Sequence, residues 1–380
     1  MAPNVTILST ADFHSAVWTN KQYMAVGLAG HTDVQYIESM GLRTPTLSRS
    51  DLARMANRVN PFRAKAGGVT PAAPSIPESL TIISPPVVPV HGSSAVRGFN
   101  RRLVERILVP KLRADEGDVL WTFSPITYGL EDRFSKVVYH SVDLLHTLPG
   151  VPARALLDAE RRLVRAADAV IASSKGVHDH LCRLGAKVHL WENVADVELF
   201  GKAPISERLP RVLFAGNITP TKVNFELLHE VARRGIRLDL AGPVSIDGVE
   251  SRRELEELLD NPNVKYLGNL PLEDLARNCA ESTVGVIPYH VNDYTRGVFP
   301  LKVYEYMSAG MDVVSTPIPS LEQSLPEGVK LAPPESFVDA VEQAVNEWTV
   351  EAASLRRRLA EGHSWSHRID QAWNLIGGGS

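Results

Sequence analysis

The chain has 380 residues, of which 44% are hydrophobic and 22% are charged. This length exceeds that of one typical domain, and the composition is that of an ordinary globular protein. We therefore expect two domains that each bury a core. The formal net charge of −4 provides no positive excess to attract nucleic acid, and we expect no nucleic-acid partner.

The few cysteines and the lack of long apolar runs argue against a disulfide-rich protein and against a membrane-spanning protein. The two cysteines, Cys182 and Cys279, lie far apart and outside any metal-ligand spacing, so neither a disulfide framework nor a metal site is predicted. The start, MAPNVTILST, lacks the features of a signal peptide, and no apolar run approaches the roughly 20 residues of a membrane span. The expected location is the cytoplasm.

The first half of the chain alternates short apolar runs with helical patterns. The runs are β-branched and nearly continuous, as in strands buried on both faces of a parallel sheet. The predicted strands are residues 5–10, 33–39, 80–84, 118–123, 136–141 and 168–173, and the predicted helices are residues 21–29, 99–112 and 152–166. This order predicts a doubly wound, Rossmann-like α/β domain over residues 1–200.

The same alternation restarts near residue 211 and predicts a second domain. Its predicted strands are residues 211–216, 237–242, 264–268, 283–288 and 312–316, and its predicted helices are residues 224–234, 252–259, 272–280 and 301–308. We expect a second Rossmann-like domain over residues 201–362, with residues 201–209 as the linker. A last helical pattern lies in residues 363–376, which we expect to cross back to the first domain.

Two such domains in tandem predict a ligand site in a cleft at the carboxyl ends of their strands. The first strand runs into Ser-Thr-Ala-Asp-Phe-His at residues 9–14, which contain no glycine. Neither a dinucleotide fingerprint nor a P-loop is therefore present. Asp12 and His14 would face an acceptor pocket, although hydrogen bonds that cap the next helix near Thr19 explain them equally well.

The segment FPLKVYEYMSAG, at residues 299–310, is the most informative in the chain. Pro300 opens a helix, where its missing N–H costs nothing, and the N–H groups of that turn can bind a phosphate beside Lys302. Glu305 follows one turn later on the same face and can accept hydrogen bonds from both hydroxyls of a ribose. A solvated Lys–Glu pair is the alternative, but the apolar strand at residues 312–316 favours a nucleotide diphosphate site.

This segment resembles the donor-binding segment of GT-B glycosyltransferases, in particular the family 4-like and teichuronic-acid-type enzymes. The resemblance implies two Rossmann-like domains that face each other across a cleft. It also implies a nucleotide-sugar donor such as a UDP-sugar, with no required metal or cofactor. In these enzymes the residues that match Glu305 hold the ribose. Those that match Lys302, together with the backbone of Pro300 and Leu301, hold the diphosphate.

Two further segments carry the same resemblance in the same order. Gly216, Thr219 and Lys222 stand in the loop that approaches the diphosphate or the sugar in these enzymes. Leu267 and Gly268 stand at the strand end where backbone groups pair with the nucleotide base.

One departure from the family concerns stereochemistry. Retaining family 4 enzymes carry a glutamate at the position of Gly297, which leaves Asn292 or Asp293 to supply part of its role. Asp143 follows the strand at residues 136–141, in a segment similar to one in the xanthan-type glucuronosyltransferases, where an aspartate is the base. We therefore expect inversion, with Asp143 taking the proton from the acceptor hydroxyl. A helix cap or loop hydrogen bond is the alternative role for Asp143.

Residues 97–113 form a basic helical stretch that includes the apolar Phe99 and Ile107. Such a helix can rest on the anionic inner face of a membrane, where a lipid-linked acceptor would lie. An amphipathic helix that packs on the sheet of the first domain explains the same pattern.

The predicted activity is transfer of a sugar from a nucleotide-diphosphate donor to a hydroxyl of a glycan, a lipid-linked sugar or a secondary metabolite. Three alternatives stay open: a retaining family 4-type transferase, a two-domain nucleotide-sugar epimerase, and a non-catalytic nucleotide-sugar-binding protein. The epimerase would need extra carboxylates and a histidine around the sugar, which the sequence does not group. A two-lobed binding receptor is normally exported, which the predicted location does not favour.

Overall fold

The computed structural model describes residues 2–15, 18–42, 76–115, 117–148, 150–246 and 249–378. The chain divides into two compact units: Met1–Trp191 together with Ile369–Ser380, and Glu192–Arg368. Each unit is built on one parallel sheet with helices, which confirms the predicted α/β class. Among the described residues, no helix is both long enough and apolar enough to cross a membrane.

The first unit contains a seven-stranded sheet in the order β3-β2-β1-β4-β5-β6-β7. Its strands are β1 (Val5–Leu8), β2 (Val34–Ile37), β3 (Leu80–Ile83), β4 (Val119–Thr122), β5 (Lys136–Ser141), β6 (Ala169–Ala172) and β7 (Val188–Leu190). The strands β1, β2, β4 and β6 are buried along their whole length, as expected for continuous apolar runs in a two-sided parallel sheet. The edge strand β7 is mostly exposed, so no apolar run predicts it.

The helices of the first unit follow the strands. They are α1 (Asn20–Ala29), α2 (Ser94–Leu103), α3 (Ala153–Ala166) and α4 (Lys175–Arg183). At the start of α1, the Thr19 N–H donates to the side-chain oxygen of Gln22 at 3.1 Å, which satisfies a donor that the first turn leaves free. The unpredicted α4 is capped by Ser174, whose hydroxyl accepts from the Val177 N–H at 3.3 Å.

The helix predicted over residues 99–112 is continuous only in part. After α2 the backbone forms a π-helical turn (Val104–Leu108) and then a 3-10 turn (Val109–Lys111). Pro110 explains the change, because it has no N–H for the helical ladder and its ring crowds the preceding turn. The helix also starts earlier than predicted, because Ser93 caps it.

The second unit contains a six-stranded parallel sheet in the order β12-β9-β8-β13-β14-β15 and a separate two-stranded antiparallel ladder, β10-β11. The strands are β8 (Leu209–Ala215), β9 (Arg237–Ala241), β10 (Ser245–Ile246), β11 (Val249–Glu250), β12 (Val264–Tyr266), β13 (Ser282–Ile287), β14 (Asp312–Ser315) and β15 (Val329–Leu331). Its helices are α5 (Val197–Phe200), α6 (Phe225–Arg233), α7 (Arg252–Leu259), α8 (Leu272–Glu281), α9 (Lys302–Ser308), α10 (Pro319–Gln323), α11 (Pro334–Glu347) and α12 (Val350–Ala360), and α13 (Trp365–Ile376) follows. Most predicted strands recur within two residues of the predicted bounds, while β15, α11 and α12 extend the unit beyond the predicted elements.

The division between the units lies at Glu192, ahead of residues 201–209, which the sequence suggests as the linker. The chain just after the division is tied to the second unit, since the Asn193 side chain donates to the Phe299 carbonyl. From Ile369 onward, the residues of α13 belong to the first unit.

The last residues of the chain complete the first unit. Ile369 is buried, and Trp373 stacks on His31 with ring centroids 5.0 Å apart. The Lys136 ammonium, at the start of β5, donates to the Leu375 carbonyl at 2.7 Å. The first unit is therefore built from two separate parts of the sequence.

One glycine and one tyrosine set the position of α9 in the second unit. Gly285 lies in the central strand β13, and a Cβ on it would fall 2.2 Å from the ring of Tyr306. Tyr306 is fully buried, and its hydroxyl accepts from the Ala215 N–H at the end of β8 at 2.8 Å. The missing side chain lets the tyrosine ring pack directly against the strand, which holds α9 at the carboxyl ends of β8 and β13.

We expect Gly285→Ala to lower the free energy of unfolding by about 1–3 kcal/mol, because the added methyl group overpacks the contact with Tyr306. Urea denaturation of the variant and the wild type measures the change. Gly362→Ala is the matched control, since no atom lies within 4 Å of a Cβ built at Gly362. Equal stability of Gly285→Ala and the control would contradict this account of α9.

Candidate active site

A buried lysine lies at the start of α9. Lys302 is 7% exposed, and its ammonium donates to the hydroxyl of Tyr289. The ammonium also lies 4.7 Å from the centroid of the Phe214 ring and 4.9 Å from that of the Tyr289 ring, distances at which aromatic faces attract a cation. Burial lowers the pKa of Lys302, and the neighbouring Tyr289 opposes that shift.

Two glycines shape the space beside this ammonium: Gly216 follows β8 and leaves room for the ammonium, and Gly242 follows β9 and leaves room for the Gly216 backbone. Gly216 has φ of +138° and Gly242 has φ of +130°, which are conformations that favour glycine. A Cβ on Gly216 would fall 2.6 Å from the Lys302 Nζ, and a Cβ on Gly242 would fall 2.1 Å from the Gly216 carbonyl oxygen. The sequence predicted a phosphate role for Gly216 but gave no sign of Gly242.

A second lysine approaches the same tyrosine. The Lys222 ammonium lies 4.9 Å from the centroid of the Tyr289 ring and 5.8 Å from that of the Tyr294 ring. Tyr289 is 2% exposed. Burial raises its pKa, but Lys222 and Lys302 together outweigh burial, so the pKa of Tyr289 falls below the usual value. Two cations around one phenol form a strongly positive site that suits an anion.

Glu305 lies one turn beyond Lys302 and is only partly accessible to solvent. No side chain in the described ranges donates a hydrogen bond to its carboxylate. Burial raises the pKa of Glu305 to about 7, with Lys302 opposing the shift and Asp196 adding to it. This carboxylate therefore keeps its acceptor capacity for a ligand.

The turn before α9 places the backbone of Pro300 and Leu301 beside the candidate site. Pro300 is buried and Leu301 is partly exposed, and their carbonyls accept from the N–H groups of Val303 and Tyr304, both at 3.2 Å. Because α9 has only seven residues, the dipole of such a short helix adds little, and the charge of Lys302 dominates the field at this end.

Leu267 and Gly268 follow β12 and bond to β9 and to the loop after it. The Leu267 N–H donates to the Leu240 carbonyl, and the Gly242 N–H donates to the Gly268 carbonyl, both at 2.8 Å. Gly268 has φ of +78°. Within the described part of the chain, the Leu267 carbonyl and the Gly268 N–H have no backbone partner, so these two groups are the ones that a base could pair with.

Thr219 organises the loop that carries Lys222. Its carbonyl accepts from the Lys222 N–H at 3.0 Å and from the Val223 N–H at 2.8 Å. Its hydroxyl lies 3.4 Å from the hydroxyl of Thr221. These backbone hydrogen bonds thus fix the position of the Lys222 Cα, from which its side chain extends.

Asn292 and Asp293, the residues nearest to the missing retaining glutamate, have different roles. The Asn292 amide donates to the Thr221 carbonyl at 2.9 Å, and its side-chain oxygen accepts from the Thr295 N–H at 2.9 Å. Asn292 therefore closes its own loop and ties it to the loop that carries Lys222. Asp293 is highly exposed and lies 4.0 Å from Arg296.

In the first unit, Asp143 follows β5 and is partly buried. Its carbonyl accepts from the Leu145 N–H at 2.9 Å and starts a 3-10 turn (Leu145–Thr147). Lys21, on α1, is buried and interacts electrostatically with Asp143. Burial lowers the pKa of Lys21, and Asp143 opposes that shift. Sequence reasoning missed Lys21, because a lysine at the start of a helix gives no signal of burial.

Asp12 and His14 are exposed in the loop after β1. The Asp12 carbonyl accepts from the Ser15 N–H at 3.2 Å and from the Gln22 amide at 3.1 Å. Thr19 and Gln22 form the capping box at the start of α1.

A histidine–carboxylate cluster lies elsewhere in the first unit. The possible ligand atoms of His146, Glu160 and His180 lie within 4.8 Å of one another. The Glu160 carboxylate accepts from the Tyr139 hydroxyl at 2.6 Å and bonds to His180 at 2.7 Å, and the rings of His146 and His180 stack with centroids 4.8 Å apart. Because both oxygens of Glu160 already have partners, the cluster is a satisfied polar network that joins the turn after β5 to α3 and α4.

Comparison with known proteins identifies the class to which this arrangement belongs. The family model described as glycosyl transferases group 1 matches residues 209–348, which contain the lysine site and Glu305. The chain is 28% identical over 277 residues to TuaH of Bacillus subtilis (strain 168), a provisionally named teichuronic acid biosynthesis glycosyltransferase. The match covers 68% of this chain and 68% of TuaH.

Solved structures share the fold. Sucrose-phosphate synthase from Thermosynechococcus elongatus superposes with a TM-score of 0.69 at 17% identity, covering 100% of both chains. HepE from Anabaena, solved in complex with UDP and glucose, gives a TM-score of 0.66 at 14% identity, covering 98% of this chain and 99% of HepE. The chain therefore has the GT-B architecture. The match to the group 1 family model and the similarity to TuaH show that it is a glycosyltransferase, which confirms the resemblance to GT-B glycosyltransferases, while the similarity to the xanthan-type enzymes stays a prediction.

The sequence did not single out Tyr289, the residue that the two lysines share. Its only signal is position, because it follows Pro288 directly after the central strand β13. Residues at the carboxyl ends of parallel strands are the ones that reach a ligand, and this position is the one sequence signal that Tyr289 carries.

The stability of the protein should depend on pH through Glu305. Its folded pKa of about 7 exceeds the unfolded value, so the folded state binds more protons between about pH 4.5 and 7, and stability falls as pH rises through that window. Glu305→Gln stays neutral, so we expect its Tm to exceed that of the wild type at pH 8 but to match it at pH 4.5. Calorimetry at both pH values measures this, and the same Tm difference at both would contradict it.

Proposed function

We propose that this glycosyltransferase transfers a sugar from a UDP-sugar to a hydroxyl of a glycan, a lipid-linked sugar or a secondary metabolite. The observation that carries the proposal is the pair of lysines, Lys222 and Lys302, around Tyr289, with the carboxylate of Glu305 one turn away. A diphosphate beside a ribose matches this order of two cations and one acceptor.

The donor would be held as follows. Its diphosphate lies against Lys302, Lys222 and the backbone of Gly216, a residue that has no side chain of its own. Its ribose hydroxyls donate to Glu305, and its base pairs with the free backbone groups of Leu267 and Gly268. Thr219 and the backbone of Pro300 and Leu301 also contact the diphosphate. The UDP complex of HepE supports uracil as the base.

Charge neutralisation by two lysines suits a mechanism without a metal. The diphosphate that leaves when the sugar is transferred carries growing negative charge, and ammonium groups already in place stabilise it. We propose that neither a metal nor another cofactor is required.

We propose inversion, with Asp143 as the general base. A carboxylate at the end of β5 can take the proton of the acceptor hydroxyl as that oxygen attacks the anomeric carbon. The charge of buried Lys21 favours the ionised, proton-accepting form of Asp143. Asp12 and His14 are exposed in the loop after β1, and we propose that they contact the acceptor. Retention is less well supported, because Asn292 closes its own loop and Asp293 is exposed.

The surface around α2 suits a lipid-linked acceptor at the inner face of a membrane. Phe99 is 52% exposed and Ile107 is 41% exposed. Among their neighbours, Arg101, Arg102 and Arg106 line a cavity of about 440 Å³. Exposed apolar side chains beside arginines are typical of helices that rest on anionic lipid. We propose that the enzyme is cytoplasmic and meets its acceptor through this surface.

Nucleotides test the donor site directly. A ligand that binds the folded state raises its Tm, by an amount that corresponds to about 2.7 kcal/mol at one hundred times the Kd. We expect UDP to raise the Tm more than GDP or TDP does, and we expect Lys302→Ala and Glu305→Ala to lose the shift. Lys330→Ala, at an exposed lysine on β15, is the control that keeps it. The donor proposal is overturned if Lys302→Ala and Glu305→Ala respond to UDP as the wild type does.

The role of Asp143 is tested separately. We expect Asp143→Asn to reduce sugar transfer by roughly 100-fold or more, the scale on which general bases contribute, while the UDP-induced rise in Tm stays at the wild-type value. Turnover near that of the wild type would show that another group is the base. A variant that fails to transfer but still epimerises the donor sugar would favour the epimerase alternative.

A further inference from the structure

Two imidazoles and one carboxylate meet in the first unit. Glu160 comes from α3, His180 comes from α4, and His146 comes from the 3-10 turn after β5. The atoms that each side chain could offer to a metal lie within 4.8 Å of one another. Histidine nitrogens and a carboxylate oxygen are ligands that zinc commonly takes in proteins. The fold therefore gathers a complete set of three zinc ligands from three separate segments.

The carboxylate of this set is buried with little positive charge around it. Glu160 is 4% exposed and His180 is 9% exposed, whereas His146 is partly exposed. Across the described residues, no lysine or arginine forms a salt bridge with Glu160, and His180 is the group of potential positive charge that contacts it. A buried carboxylate is stabilised by a cation, and the partly exposed side of His146 gives an ion a route to it.

The hydrogen bonds of Glu160 are compatible with a metal. An ionised carboxylate has about four lone-pair sites. The Tyr139 hydroxyl donates to one oxygen at 2.6 Å, and the other oxygen lies 2.7 Å from the Nε2 atom of His180. Carboxylates that bind metals are themselves hydrogen-bonded, so Tyr139 can stay in place. A metal replaces only the hydrogen between His180 and Glu160, and the neutral imidazole then carries its hydrogen on Nδ1.

His146 can supply the third ligand. Among the described residues, its ring nitrogens form no hydrogen bond, and its ring stacks on that of His180. Burial lowers the pKa of His146, His180 adds to the shift and Glu160 opposes it, so the imidazole is neutral at pH 7 and offers a lone pair. Ligand atoms around a tetrahedral zinc ion lie about 3.3 Å apart, so the cluster has to close by about 1.5 Å at most. A partly exposed side chain on a short turn can make that movement.

We propose that His146, Glu160 and His180 form a Zn²⁺ site whose fourth position faces solvent beside His146. The bound ion ties the turn after β5 to α3 and α4. That turn begins at Asp143, whose carbonyl accepts from the Leu145 N–H. The three ligands belong to the first unit, whereas the donor-site lysines belong to the second. The metal stabilises the first unit and takes no part in sugar transfer.

Titration of the chelator-treated protein with Zn²⁺, in competition with a chromophoric chelator, tests the site. We expect tight binding by the wild type and a rise in its Tm with Zn²⁺. His146→Ala removes a ligand that has no hydrogen bond to lose, so it should fold, and its Tm without Zn²⁺ checks this. We expect its Kd for Zn²⁺ to rise by roughly 100-fold or more, because even the outer partners of metal ligands contribute about 10- to 100-fold. Tyr139→Phe removes such an outer partner and should raise the Kd roughly tenfold.

His178→Ala is the matched control. His178 lies on the same helix as His180 but contacts Asp179 and Cys182 instead, so we expect this variant to keep the wild-type Kd. Co²⁺ reports the geometry, because a tetrahedral Co²⁺ ion absorbs strongly in the visible range. We expect these bands in the wild type and in His178→Ala, and we expect His146→Ala to lack them.

Three results would overturn the proposal: no Zn²⁺ binding by the wild type, wild-type affinity in His146→Ala, or loss of binding in His178→Ala with retention in His146→Ala. The last result would place the ion at the exposed face of α4. The donor site is tested independently, since we expect the UDP-induced rise in Tm to be the same in His146→Ala and in the wild type.

Discussion

The second unit depends on one buried contact, between the ammonium of Lys302 and the phenol of Tyr289. An ammonium in an apolar interior costs several kcal/mol unless partners replace its water, and here one hydroxyl and two aromatic faces do so. Gly216 leaves the space that this cation needs, and Gly242 leaves room for the backbone of Gly216.

Close packing of α9 on the sheet places Lys302 at the carboxyl ends of β8 and β13, where ligands bind in such folds. Gly285 admits the ring of Tyr306 to the surface of the central strand, and the tyrosine hydroxyl fixes the end of β8. The same helix presents Lys302 and Glu305 one turn apart, so a displacement of α9 would move cation and carboxylate together. Tyr306 of α9 thus packs the helix on the sheet, while Lys302 and Glu305 of the same short helix belong to the candidate site.

The sequence predicted the architecture well, because continuous apolar strands and intervening helices follow directly from burial on both faces of a sheet. It missed β7, whose side chains are mostly exposed, and it extended a helix through Pro110. Lys302 and Glu305 could be found because spacing on one helix is a local property. Tyr289, Gly242 and Lys21 could not be assigned a role in the same way, since each matters only through a partner that the fold brings from a distant part of the chain.

The return of the chain to the first unit has a consequence for synthesis on the ribosome. Residues between Ile369 and Leu375 pack against His31 and Lys136, so the first unit stays incomplete until this segment has been synthesised. The second unit is continuous in sequence and can finish folding earlier. Deleting residues 369–376 would therefore damage the part of the molecule that was made first.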